Sequence, residues 1–404
     1  MVILVLNCGS SSIKYQLLKM EEASNYQLVA KGLVERIGLD MGILNHRVTG
    51  AEKVVKEIFI PNHTEGIKEV LALLTDSELG VLNSLNEIDA VGHRVAHGGE
   101  YFKSSALIDT QAIENIERLC ELAPLHNPAN LLGISAITTL MPKAPQVAVF
   151  DTSFHQTMPK HAYTYAIPYE YYTKYKVRKY GFHGTSHKFV AQRGCEIAGL
   201  DFNNSKIITC HLGNGSSITA IKNGESIDTT MGFTPLEGMI MGTRSGDIDP
   251  GVIFYIQEKE NLSSQELNAL LNRKSGFLGV SGVSSDGRDI EQAARDGNER
   301  AALTIEILHY RVLKFIGAYS AALGGVDLII FTGGIGENDK NLRGSVGKQL
   351  RYLGVDFDQS CNLNTQGEDM LLTTPKSAVK VAVIATNEEL VIAQDTLSIV
   401  NNLK

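Results

Sequence analysis

The sequence predicts an α/β protein of two domains, each built on a β-hairpin with a small-residue tip inside a mixed sheet. Three observations carry this expectation. An apolar strand, Val2 to Leu6, runs into Asn7-Cys8-Gly9-Ser10-Ser11-Ser12 and returns as the alternating stretch Ile13, Tyr15, Leu17. The same unit recurs half a chain later, at Lys206 to Gly224, where Ser216-Ser217-Ile218 matches Ser11-Ser12-Ile13. Strand and helix patterns alternate through both halves.

The elements follow in order. After the first hairpin, Asp89 to Gly99 reads as a strand entering a glycine turn, and Gln111 to Leu122 has apolar residues at helical spacing. Gln146 to Asp151 is a buried strand ending in a carboxylate. After the second hairpin, Asn298 to Leu323 is a long helical pattern feeding a strand at Val326 to Phe331, which stops at a glycine-rich turn, Thr332 to Asn338. Val379 to Ala385 is the last strand, and Thr386 with Glu389 predicts a capping box on the last helix.

Bulk properties narrow the function. The chain has 404 residues, which suits two domains. Its formal net charge of −8 argues against nucleic-acid binding and against an acidic membrane surface. Any anionic substrate must then be met by local cations. The five cysteines lack C-x-x-C spacing, so neither a zinc site nor a disulfide framework is expected, and a reducing cytoplasm is. The N-terminus has neither the charge pattern nor the apolar length of a signal peptide or membrane helix.

The hairpin tips leave backbone N–H groups and hydroxyls free to face an anion, and Lys14 adds a positive charge. Two such tips can grip a polyphosphate. A Walker A loop is absent, and Gly334-Ile335-Gly336 is followed by Asp339 where a dinucleotide fingerprint needs glycine. The pairs His93/His97 and His183/His187 have i, i+4 spacing without the Glu of a zinc protease; structural hydrogen bonding or phosphate contact is expected instead. Arg94 and Arg244 stand in glycine-flanked turns and suit bidentate capture of carboxylate or phosphate. Two readings are open for each: a substrate contact, or a structural pair, with Asp247 or Asp249 as partners for Arg244. Asp151 reads either as a site carboxylate at a strand end or as a helix N-cap.

Together these residues resemble the acetate kinase family of the actin-like phosphotransferase superfamily, over the whole chain. The motifs that carry the resemblance are Asn7 to Lys14, Gly92-His93-Arg94, Ala123 to Pro128, Asp151 to Met158 and Tyr180 to His187. They continue with His211 to Gly215, Met241 to Asp249, Gly333 to Asn338 and Thr386 to Glu389. The resemblance implies a duplicated actin-like (ribonuclease H-like) fold with ATP in the interdomain cleft. Residues 1–151 plus 387–404 would form the carboxylate-side domain, and residues 152–386 the nucleotide-binding and dimerisation domain. It implies reversible, Mg²⁺-dependent (or Mn²⁺-dependent) in-line phosphoryl transfer from ATP to acetate, giving acetyl phosphate and ADP, in a cytoplasmic homodimer.

By motif, Asn7 and Glu388 would sit at the metal, and Ser10, Ser12 and Lys14 near ATP. His211, Leu212, Gly213, Asn214 and Gly215 would contact phosphate. Asp286, Gly287, Arg288, Gly334, Ile335, Gly336, Glu337 and Asn338 would hold the nucleoside. Arg94, Asp151, His183 and Arg244 would surround the transferring phosphoryl group, and Ala96, Leu125, Phe182 and Pro235 would line the methyl pocket. Many acetate-using members have valine where this chain has Ala96, whereas propionate kinases have alanine, which implies room for propionate or another short-chain carboxylate. Two other classes compete: a nucleotide-switched chaperone or filament protein, which keeps the fold, and a phosphatase that hydrolyses phosphoanhydrides. A switch needs no carboxylate trap, so the Arg94/Arg244 pair and the pocket of Leu125 and Phe182 speak against the first, and the second would turn over without any carboxylate.

Overall fold

The computed structural model describes residues 1–403. The chain divides into two compact units, Met1–Ser153 with the segment from Asn387 onward, and Phe154–Thr386.

The first unit holds an eight-stranded sheet: β1 Val2–Cys8, β2 Ser12–Met20, β3 Tyr26–Glu35, β4 Gly42–Val48, β5 Val54–Ile58, β6 Ala90–Val95, β7 Ala106–Leu107 and β8 Gln146–Phe150, in the order β5-β4-β3-β2-β1-β6-β8-β7. β1 and β2 form the expected hairpin, with Asn7 opposite Lys14. β6 and β8 then add in parallel. Leu4, Leu6, Ile13 and Leu17 are buried with Ile67 and Val70 of the helix His63–Leu74. The C-terminal helix Glu388–Asn401 packs directly on β6: a Cβ on Gly92 would lie 2.5 Å from Thr396 Oγ1, so only glycine permits that approach.

The second unit repeats the plan with six strands: β9 Lys206–Leu212, β10 Ser216–Lys222, β11 Glu225–Thr229, β12 Leu328–Thr332, β13 Met370–Leu371 and β14 Lys380–Val383, in the order β11-β10-β9-β12-β14-β13. Here β12 and β14 are the parallel additions to the β9–β10 hairpin. Both sheets thus share a run of three antiparallel strands, β3-β2-β1 and β11-β10-β9, followed by two parallel ones, so the duplication seen at the hairpins extends to the topology; the first sheet adds two more antiparallel strands, β4 and β5, beyond that run. Both faces of the second sheet are covered. Val312 and Ile316 of the helix Glu299–Leu323 share a core with Ile208 and Phe331, while Val190 and Ala191 of the helix Gly184–Ala198 pack with Ile207 and Ile330. Burial on both faces explains why these strands read as continuous apolar runs.

Three local expectations are corrected. The segment after β12 is a short helix, Gly333–Asn338, not a turn. The helix predicted over Gln111–Leu122 occupies Thr110–Arg118, capped by Asp109. The last helix has no Thr386/Glu389 box. Asn387 is its N-cap and accepts from Leu390 N at 3.1 Å, because the Thr386 amide already donates to Glu337 Oε1 and the Glu389 carboxylate pairs with Lys14.

Candidate active site

In the first unit the parallel strands deliver polar groups to one edge. Arg94, near the end of β6, grips Asp151, just past β8, through Nε to Oδ1 at 3.0 Å and Nη2 to Oδ2 at 2.5 Å. Its Nη1 donates to Asn7 Oδ1 at 3.2 Å. These bonds use three of the five guanidinium N–H groups and leave two for a further acceptor. Asp151 is therefore the partner of an arginine and not a helix cap. Burial, which by itself lowers the Arg94 pKa, is outweighed by Asp151, Glu388 and Glu389, which hold the guanidinium charged. Glu388 is the converse case: burial pushes its carboxyl up to about 7, with Arg94 opposing and Asp151 and Glu389 reinforcing.

Ala96 lies one residue past β6 and is buried. Its amide donates to Asn130 Oδ1 at 3.0 Å, and Asn130 Nδ2 donates to Cys8 O at 2.8 Å. Asn127 does the same for His97, accepting from its amide and donating to its carbonyl. Two buried asparagines, i and i+3 on one helical face, thus pin the Ala96–His97 backbone. Their i, i+3 spacing, not used in the sequence reading, is the signal that could have found them. Leu125 stands in the loop before this helix and is 56 % exposed. The histidines of the first pair serve structure: His93 Nε2 meets Gln146 Oε1 at 2.9 Å, and His97 Nδ1 accepts from Gly99 N.

In the second unit, His183 precedes the helix Gly184–Ala198 with a left-handed backbone (φ 56°). Its ring stacks on that of His211 at 4.3 Å, and its Nδ1 lies 2.9 Å from Ser217 Oγ. A Cβ on Gly215, at the tip of the β9–β10 hairpin, would come 2.6 Å from Arg244 Nη2 and 3.4 Å from His183 Nε2. The tip, the arginine and the histidine therefore share one small space, and glycine keeps it open. Arg244 Nη1 donates to Pro235 O at 2.6 Å. The carboxylates expected as its partners are used elsewhere. Asp249 caps the helix Pro250–Lys259, and Asp247 accepts from Gly238 N and faces Arg311. Burial lowers the Arg244 pKa with no anion to offset it. Phe182 is buried beside Met231 and Met241.

A cavity of about 770 Å³ lies in the same unit. Gly213, Asn214, Asp286, Gly287, Arg288, Gly334, Ile335 and Asn338 line it, joined by Phe277, Ser285, Glu291 and Asp339, which the motifs had not indicated. This size suits a nucleoside with part of its phosphate chain. Gly336 and Glu337 are not among its lining residues. Glu337 Oε1 instead accepts from Gly333 N and Thr386 N, bracing the helix Gly333–Asn338. Gly333 must be glycine: its φ is 76°, and a Cβ would sit 2.7 Å from Leu212 O. Asp286 caps the helix Gly287–Arg295 and is held down to about 2 by hydrogen bonds from the Arg288 side chain and amide.

The oxygen donors Asn7 Oδ1 and Glu388 suit a hard divalent cation that keeps several of its waters. No three His, Cys, Asp or Glu side chains among the described residues are grouped so as to hold a metal ion by themselves.

The model of the acetokinase family matches residues 2–394. The chain belongs to the acetokinase family. It is 56% identical to the acetate kinase of Lachnoclostridium phytofermentans over 400 residues, 99% of this chain and 100% of that one. It is also 56% identical to the acetate kinase of Halothermothrix orenii over 402 residues, the full length of both. Among solved structures, this acetokinase superposes on Porphyromonas gingivalis acetate kinase with a TM-score of 0.95 at 50% identity, covering 99% of each chain. A propionate kinase from Francisella tularensis superposes with a TM-score of 0.90 at 42% identity, covering 98% of this chain and 99% of that one. The acetokinase is thus a phosphotransferase whose family reaction uses ATP and a divalent metal. No helix among its described residues is long and apolar enough to cross a membrane.

Proposed function

We propose that this acetokinase transfers the γ-phosphoryl group of ATP to acetate in line and reversibly, with Mg²⁺, and that it also accepts propionate. The observation that carries the reading is Arg94: a guanidinium fixed on two sides by Asp151 and Asn7, with two N–H groups left for an anion.

A carboxylate acceptor is ionised at pH 7, because simple carboxyls titrate at about 4 to 5. Phosphorylation therefore needs no general base. The obstacle is repulsion between acceptor and γ-phosphate, on the order of 4 kcal/mol for unit charges about 4 Å apart at an effective dielectric of about 20. Arg94 and Arg244 offset it, and His183 adds a hydrogen-bond donor. Asp151 aligns Arg94 and takes no proton. The cavity between Gly213 and Asp339 receives the nucleoside, and Lys14 with the hairpin-tip residues receives phosphate. Asn7 and Glu388 would hold Mg²⁺, which would supply charge neutralisation on the phosphate oxygens. The five cysteines, none in a disulfide, suit the cytoplasm. The exposed aromatics Phe254, Tyr255, Tyr310 and Tyr352 of the second unit suit a homodimer interface.

The direct test is formation of acyl phosphate, trapped as hydroxamate, with formate, acetate, propionate and butyrate. Turnover of ATP that does not depend on added carboxylate would overturn the reading. Ala96 is the size filter. Its backbone is pinned by Asn130, so the two extra methyl groups of valine would project from a fixed point. One methylene in an apolar pocket is worth about 10- to 200-fold in discrimination. Ala96→Val is expected to lower the propionate-to-acetate ratio of kcat/KM about tenfold; an unchanged ratio would move the filter to Phe182, Pro235 or Leu125. Glu388→Ala is expected to raise the Mg²⁺ concentration for half-maximal rate about tenfold or more. A magnesium titration that superimposes on the parent's would remove Glu388 from the metal.

A further inference from the structure

A chain of buried hydrogen bonds runs behind His183. His187 is fully buried, with Nδ1 2.6 Å from Thr209 Oγ1 and Nε2 2.7 Å from Ser217 Oγ. Ser217 Oγ in turn lies 2.9 Å from His183 Nδ1. Thr209 and Ser217 are also fully buried.

The protons in this chain can be counted. Burial, with the neighbouring His155 and His211 adding to it, drives His187 well below its usual range, so its ring is neutral: one nitrogen donates and the other accepts. Among the described residues, the Thr209 hydroxyl has His187 Nδ1 as its hydrogen-bond partner and no other. A proton on Nδ1 would leave the Thr209 hydrogen without an acceptor in a dry interior, which biases the equilibrium against that arrangement by about tenfold or more. Thr209 therefore donates to His187 Nδ1, and His187 Nε2–H donates to Ser217 Oγ. Ser217 has one hydrogen, and it goes to His183 Nδ1. With Nδ1 accepting, neutral His183 carries its proton on Nε2, the atom that faces the Gly215 tip beside Arg244.

We propose that Thr209, His187 and Ser217 form a one-directional hydrogen-bond chain that fixes His183 as the Nε2–H tautomer, so that it presents a donor to the transferring phosphoryl group. Thr209 and Ser217 are then positioning residues, acting through His183. The left-handed backbone of His183 fits this role, since such strain persists where the surroundings over-determine a side chain. The inference rests on the reading of His183 as a phosphoryl contact.

The test is ¹⁵N NMR of the full-length enzyme labelled at the histidine imidazoles, at mildly alkaline pH, with the His183 signals identified by their loss in His183→Ala. In the parent, Nε2 is expected at a protonated position and Nδ1 at a bare, hydrogen-bond-accepting one. Thr209→Val is close to isosteric and removes the donor that sets the direction. Its His183 Nδ1 signal should move towards the protonated position, and kcat should fall severalfold with KM for ATP unchanged. Ser217→Ala, which cuts the chain next to His183, should lower kcat about tenfold. A proton on His183 Nδ1 in the parent would overturn the proposal, as would Thr209→Val leaving both His183 signals in place. Hydroxyls that only support the fold would lower Tm without moving those signals. Full activity of His183→Ala would instead sink the phosphoryl-contact reading, while the tautomer measured in the parent would still decide whether the chain has a direction.

Discussion

Arg94→Ala is expected to lower kcat by about 10²- to 10³-fold, the range typical of a preorganised group that meets developing charge, and also to lower Tm. The two losses have different origins. Two guanidinium N–H groups have no partner among the described residues, and on the proposed reading their removal would take away stabilisation of the phosphoryl group and its acceptor. The bidentate bond to Asp151 is structural, and Asp151 is 2 % exposed. Deleting the arginine strands that carboxylate without its counter-ion, and breaking one side of a buried pair is strongly destabilising. Arg94→Lys separates the effects. It keeps a charge near Asp151 but loses the fork, so Tm recovers in part while kcat stays low. Steady-state kinetics with thermal melting of both variants checks this. A loss of kcat under tenfold in folded Arg94→Ala would remove Arg94 from the reacting centre.

The parts of the fold that were legible in the sequence are those written in local pattern. The two hairpins show as apolar runs meeting small-residue tips, and β12 shows as a continuous apolar stretch because both faces of the second sheet are covered. Residue pairing was harder to read. Nothing near Asp151 announces that its partner is Arg94, 57 positions earlier, because the two meet only when β6 and β8 align. The Thr386/Glu389 cap failed for the same reason: local propensity favoured the box, but Glu337 and Lys14, distant in sequence, had already engaged its atoms. Thr209 and Ser217 looked like ordinary strand residues, and only the course of β9 and β10 past the helix Gly184–Ala198 makes them partners of His187. The motifs name the glycines that line the cavity between Gly213 and Asp339, where backbone can approach a ligand closely. They do not name Phe277 and Glu291 of the same lining, whose places depend on how the helices Gly276–Ser281 and Gly287–Arg295 pack.

Arg244→Ala should cost as much rate as Arg94→Ala and behave oppositely in stability. Arg244 is partly buried, and burial alone moves its pKa, downward. The acids in its own loop, Asp247 and Asp249, are bound to other groups. Among the described residues, its one side-chain hydrogen bond is to the carbonyl of Pro235. A desolvated guanidinium held by a neutral carbonyl is a charge without a counter-ion, so the folded enzyme bears a cost that a bound anion would relieve. Truncation removes that cost and leaves no unpaired carboxylate, so Tm should hold or rise while kcat falls about 10²- to 10³-fold. The parent should also gain more thermal stability from a bound phosphate or carboxylate analogue than the variant does, because only the parent has the charge to be neutralised. Melting both proteins with and without such an anion, beside their kinetics, makes the comparison. A clear drop in Tm for Arg244→Ala would mean that the arginine supports the fold. An equal stabilisation of both proteins by the anion would mean that its charge meets no ligand.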